Sequence, residues 1–178
     1  VANLPVPVWA TNFAPGQFDT AASMNVIGNN GTFLTNPPLF VGTQSTVQSV
    51  PNSTWTALAL DTTQTDLYGG HSNTTNSSRY TAQVTGWYTV CGTAAYVPNS
   101  TGFRTARIQV NGAAIPGAET YGPNNGTAES VIVTPTRDVY LTANDYVEVA
   151  SWQNSGGALN TSVGGETRCA LFVRYSHA

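Results

Sequence analysis

The sequence predicts an all-β sandwich of about 8–10 short antiparallel strands, and three observations carry that expectation. Tyr80–Cys91, Arg107–Gly112 and Val139–Val149 each alternate apolar and polar residues, the period of a half-buried strand. Clusters of Gly, Pro, Asn and Ser punctuate the chain between such runs. Only one segment has a helical signature.

Residues 1–18, with Leu4-Pro-Val-Pro-Val-Trp9 and Ala14-Pro-Gly16, read as an extended arm because proline excludes helix. Asp19–Ile27 reads as a short helix, capped by Asp19 and stopped by Gly28. Asn36-Pro-Pro38 closes this segment, so residues 1–38 form an attachment unit and 39–178 the sandwich. Leu39–Val50 alternates loosely, Pro51–Ser53 turns, and Trp55–Leu60 is a strand. Gln64–Ser78 is a polar loop. Tyr80–Gln83 and Trp87–Val97 are split by Thr85-Gly86. Phe103–Val110 ends in a tight Asn111-Gly112 turn. Ser130–Thr134, Asp138–Leu141, Tyr146–Gln153 and Thr167–Tyr175 complete the strands.

Composition narrows the function classes. Charged residues are 8% of the chain, against roughly 25% in an ordinary domain. The surface is therefore built from Thr, Ser, Asn, Gln and Gly, which suits a protein held in an assembly. A net charge of −3 gives no electrostatic case for nucleic acid or an anionic membrane. No apolar run approaches the ~18 residues of a membrane span. All six cations are arginine, which reads first as the coding bias of a GC-rich host. The seven Asn-x-Ser/Thr triplets read as a by-product of an Asn-, Ser- and Thr-rich composition.

Catalytic and metal chemistry is poorly supplied. Cys91 and Cys169 form no CxxC and no Cys/His cluster, so a zinc site is not expected. His71, in Gly69-Gly70-His71-Ser72 near Asp66, reads as a loop-ordering side chain ahead of a base or ligand. No Gly-x-Ser-x-Gly is present, and the carboxylates show no spacing that demands a glycosidase pair. The chain is accordingly read as a non-enzyme without a cofactor. Tyr68, Tyr121 and Trp152 are candidate sugar-stacking residues, with core packing the stronger reading for Trp152. Tyr68, His71 and Tyr121 make up the candidate ligand set.

Both faces of two strands are apolar. In Trp87–Val97, Tyr88, Val90 and Tyr96 point inward, leaving Trp87, Cys91 and Ala95 on the other face. In the last strand, Phe172 falls opposite Leu171 and Val173. A sheet covered on both sides gives this pattern.

From Trp55 onward the order of motifs resembles the C1q/TNF-like jelly roll. Tyr80-x5-Gly86-x-Tyr88-x-Val90, Val110-Asn111-Gly112, Leu141-x3-Asp145-x-Val147 and the closing strand Cys169–Tyr175 carry the resemblance. One residue departs from it: Asn144 stands where the family has Gly, and Asn tolerates the left-handed backbone that a Gly turn uses. The resemblance implies a homotrimer, with Trp87, Cys91 and Phe172 at or near the subunit interface. It also sets Cys91 and Cys169 on adjacent strands, where two free thiols are favoured slightly over a disulfide. A calcium ion on the threefold axis is left open.

The whole chain resembles minor tail or fibre proteins of actinobacterial phages. Thr20–Asn25 with Phe33-Leu34 and Pro37-Pro38, Gln48–Leu58 with Asp66–Ser72, and Ser155–Thr161 carry this likeness. It implies a structural component at the virion surface, joined to other virion proteins through residues 1–38 and able to touch a host-surface glycan. The alternatives are a head fibre or capsid decoration protein without receptor activity, and a secreted bacterial C1q-like lectin.

Overall fold

The computed structural model describes residues 3–8, 15, 16, 18 and 20–178. Helix α1 spans Ala21–Thr35. The strands are β1 (Leu39–Thr43), β2 (Ser49–Val50), β3 (Thr56–Ala57), β4 (Thr62–Asp66), β5 (Arg79–Thr81), β6 (Gly86–Tyr96), β7 (Arg104–Val110) and β8 (Ala113–Gly122). They continue as β9 (Ser130–Val133), β10 (Arg137–Leu141), β11 (Tyr146–Gln153), β12 (Leu159–Asn160), β13 (Val163–Gly164), β14 (Thr167–Arg168) and β15 (Ala170–His177).

Two antiparallel sheets form the sandwich. The first runs β10-β6-β15-β1-β4, with β9 also paired to β6. The second runs β3-β11-β7-β8, with β5 also paired to β11. Neighbours such as β15 and β1 are distant in sequence, so the connections cross between sheets in the manner of a jelly roll. The core lies between the sheets. Tyr88, Val90 and Ala94 of β6, with Leu171 and Val173 of β15, face Ile108, Val147 and Val149 of the second sheet. A file of rings continues this core toward the helix. Phe40 stacks on Tyr80 at 5.1 Å, Tyr88 meets Tyr175 edge-on at 5.3 Å, and Phe33 meets Tyr175 at 5.1 Å.

The turns follow the sequence. Asn111 and Gly112 both have positive φ (50° and 77°), the geometry of a tight hairpin between β7 and β8. Asn144 has φ 80°, so it takes the left-handed place expected of it. Gly86, expected to punctuate Tyr80–Gln83 and Trp87–Val97, opens β6, and the gap that follows β5 falls where Thr85-Gly86 predicts it.

The helix differs from expectation. It starts at Ala21, with Thr20 as its cap: Thr20 Oγ1 accepts from the Ser23 N–H at 3.1 Å. Asp19 and the Trp9 part of the arm lie outside the described residues. The helix also runs through Gly28 and Gly31 to Thr35 instead of stopping at Gly28. Burial of Phe33 against Tyr68 and Tyr175 extends it, because tertiary packing outweighs the roughly 1 kcal/mol that a glycine costs in a helix. Asn36 ends it, and Pro37-Pro38 cannot continue it.

Candidate functional site

The outer face of the first sheet follows from its register. Cys91 of β6 pairs with Phe172 of β15, which pairs with Val41 of β1. Trp87 pairs with Tyr140 of β10. Side chains opposite one another leave the same side of a sheet, so Trp87, Cys91, Phe172, Val41 and Tyr140 share one face. Val131 and Val133 of β9 extend it. Trp87 is 37% exposed, Tyr140 53% and Val133 56%. The Trp87 ring touches Tyr140 edge-on at 5.6 Å and stacks near His177 at 6.1 Å. The charged residues in these rows are Asp138, which accepts from Thr89 Oγ1 at 2.6 Å, and Arg174. Trp87, Cys91 and Phe172 were visible from strand alternation. Tyr140, Val131 and Val133 were not singled out, because short edge strands give too few residues to fix a face.

The cysteines are free. Cys91 lies on β6, whereas Cys169 lies in the single-residue break between β14 and β15 and is not on a strand. Cys91 is beside outward-facing Phe172, whereas Cys169 is buried with its Sγ 3.4 Å from the Ala95 nitrogen. Burial pushes the Cys169 thiol up to about 11, and burial also raises the Cys91 thiol.

The three candidate ligand residues separate. Tyr68 is not available to a ligand: it is 3% exposed and donates its phenol hydrogen to the Asn36 carbonyl at 3.0 Å. His71 orders its loop. Its Nδ1 lies 2.7 Å from the Arg79 carbonyl and its Nε2 2.8 Å from the Leu60 carbonyl, while Asp66 accepts from the Gly70 and His71 N–H groups. Tyr121 alone stands open, on the outer face of the second sheet.

That second face is lined with paired polar groups. Glu148 is buried and accepts from Ser78 Oγ at 2.6 Å, Arg79 Nε at 3.2 Å and Gln109 Nε2 at 3.3 Å. The Arg107 guanidinium lies 3.7 Å over the Trp55 ring. Glu148 is thus the hub of a covered network.

Among the described residues, no group of three His, Cys, Asp or Glu converges as a metal ligand set. Among them, too, no helix is long and apolar enough to cross a membrane.

The sequence matches no family model and no curated protein. The fold has solved counterparts. Murine APRIL, in a crystal structure at pH 5.0, superposes with TM-score 0.55 at 11% identity, covering 77% of this chain and 98% of that one. Eiger TNF from S. frugiperda superposes with TM-score 0.50 at 14% identity, covering 79% and 92%. The chain has a TNF-like jelly-roll fold. At such identity the likeness speaks for the fold alone.

Proposed function

We propose that this chain is a non-catalytic, trimeric structural module, displayed on a phage particle as a tail or fibre component. One observation carries the assembly reading. The outer face of the first sheet exposes Trp87, Tyr140, Val131 and Val133 together, beside half-buried Cys91 and Phe172. The row of Thr89, Asp138 and Arg174 crosses this face and leaves an apolar patch on either side, and exposed apolar patches of this kind mark an interaction surface. A second and third copy packed around a threefold axis is the cover that the jelly-roll resemblance implies. The virion setting is supported by the sequence likeness to phage tail proteins and by the weakly charged composition. Residues 1–38 act in this reading as the assembly segment, and the described part of the arm is tied to the sandwich. The Leu4 N–H donates to the Leu67 carbonyl at 2.9 Å, and Asn30 Nδ2 of the helix donates to the Val8 carbonyl at 2.9 Å.

Light scattering on the purified chain tests the assembly. A mass near three times 18.7 kDa is expected, falling to a single subunit in Trp87→Glu. A monomeric parent chain would overturn the reading. A truncation that tests the arm ends before Thr20, because removing all of 1–38 also removes Phe33 from the core.

A further inference from the structure

Four aromatic rings meet on the outer face of the second sheet. Trp152 of β11 and Tyr121 of β8 flank Thr105 of β7, and all three are register partners. Their side chains therefore rise from one face in one row. Phe103 enters from the residue before β7, its ring 5.1 Å from Trp152 and 5.4 Å from Tyr121. Trp55 arrives from the segment before β3. These residues and Glu119 line a recess of about 240 Å³. Its floor is Thr105, which is 2% exposed.

The polar groups sit one row away. Arg107 and Glu119 are register partners, two residues from Thr105 and Tyr121 on their strands, so they share this face. Glu119 Oε1 accepts from Thr105 Oγ1 at 2.9 Å. The same carboxylate lies close enough to Tyr121 to raise its phenol above the ordinary value. Scattered surface aromatics need no explanation, but four around one exposed carboxylate do. Tyr121 is 66% exposed, so folding gains little from it.

We propose that this recess binds one neutral sugar ring of a glycan. A pyranose has an apolar C–H face, which suits the aromatic walls, and ring hydroxyls that need both acceptors and a donor. Glu119 supplies the acceptor oxygens, and Arg107, whose Nε and Nη2 donate to Gln109 Oε1, offers its Nη1 hydrogens from the row beside the recess. One carboxylate beside one guanidinium selects neither a cation nor an anion. The volume falls below the roughly 300–1,000 Å³ of drug-sized sites, and it suits a single ring better than a peptide. The recess lies on the sheet opposite the self-association face, so assembly would leave every copy open, and weak sites would add by multivalency. For its biological setting the inference rests on the proposed surface-displayed module; its chemistry stands on this sheet alone.

The test titrates the intact protein with methyl glycosides of glucose, galactose, mannose, N-acetylglucosamine and N-acetylgalactosamine. Tryptophan fluorescence and saturation-transfer NMR report binding. At least one glycoside is expected to saturate in the millimolar range, with transfer to its ring C–H protons. Tyr121→Ala, or Glu119→Gln should folding suffer, is expected to weaken it about tenfold, the size of one lost stacking or charged hydrogen-bond contact. No saturable glycoside, affinity in both variants unchanged from the parent chain, or binding of choline in place of sugar would overturn the proposal. Repeating the titration on the Trp87→Glu chain separates the two readings. Sugar binding by a parent chain that is itself monomeric sinks the assembly and leaves the recess, and a parent trimer blind to sugar does the reverse.

Discussion

The two sheets of this sandwich have opposite outer faces. On the second, polar groups find partners within the chain: Arg79 and Gln109 converge on Glu148, Arg107 covers Trp55, and Thr105 donates to Glu119. On the first, apolar side chains have one another and then solvent: Trp87 against Tyr140, Cys91 against Phe172, and Val131 and Val133 of β9 exposed. Both inner faces are buried in the shared core, so the difference between the sheets lies outside it. The second face exposes Phe103 and Tyr121 beside charged groups that are mostly paired within the chain, whereas the first leaves an indole and two valines in water, where burial stabilises at roughly 25 cal/mol per Å² of apolar surface removed. In the proposed assembly this contrast would set one side for self-association and the other for solvent.

The largest way to break this contrast is to make the first face charged. Trp87→Glu is expected to abolish self-association while leaving the monomer folded, because Trp87 is only partly covered within its own chain. Cys91 supplies a second readout. It is half-buried in the single chain and next to Phe172, so assembly would cover it. Maleimide labelling, followed by mass spectrometry, is expected to be slow at Cys91 in the parent chain and fast in Trp87→Glu, with Cys169 unreactive in both. Equal labelling of Cys91 in the two forms would move the interface elsewhere.

The second face breaks differently. Glu148→Ala removes three hydrogen bonds and leaves Arg79 without its carboxylate. Arg79 is partly solvated, so its ion pair counts for less than a buried one. The expected loss is about 2 kcal/mol, or a fall of roughly 6 °C in Tm for a chain of this size. The oligomeric state should not change. A variant that dissociated without melting earlier would show that the two faces are coupled.

How much of this division could be read from the sequence depended on strand length. β6 and β15 are long enough for alternation to expose their second apolar face, so Trp87, Cys91 and Phe172 stood out. β9 has four residues and β10 five, too few to tell which side Val131 or Tyr140 takes. Turns were legible wherever a left-handed residue was needed, as at Asn111-Gly112 and Asn144. The helix was misjudged because Gly28 is a local stop signal and Phe33 a non-local reason to continue. The aromatic recess was only partly visible. Trp55, Phe103, Tyr121 and Trp152 come from four stretches of chain, and only strand register brings them together. Tyr68 had looked as open as Tyr121, and only the Asn36 carbonyl above it decides otherwise.

The smallest expected effect sharpens the contrast through pH. Asp145 sits in the turn between β10 and β11 and ties it to the β7–β8 hairpin: its Oδ1 accepts from Asn111 Nδ2 at 2.8 Å and its Oδ2 from the Thr142 N–H at 2.7 Å. The Asn111 hydrogen bond, followed by that of Thr142, holds its carboxyl below the ordinary 3.8. A group depressed in the folded state contributes stability above its unfolded pKa and loses it as pH falls through the folded value. Asp145 is only partly buried, so solvent screening keeps the contribution modest. Asp145→Asn is therefore expected to melt slightly earlier than the parent chain at neutral pH, with the gap closing as pH drops below 3.8. Thermal melts of both chains across that range provide the check, run on the Trp87→Glu background so that assembly does not mask the difference. A gap that stays constant with pH would mean that Asp145 holds the turn by shape rather than by charge, and acid sensitivity would have to be sought outside this end of the second sheet.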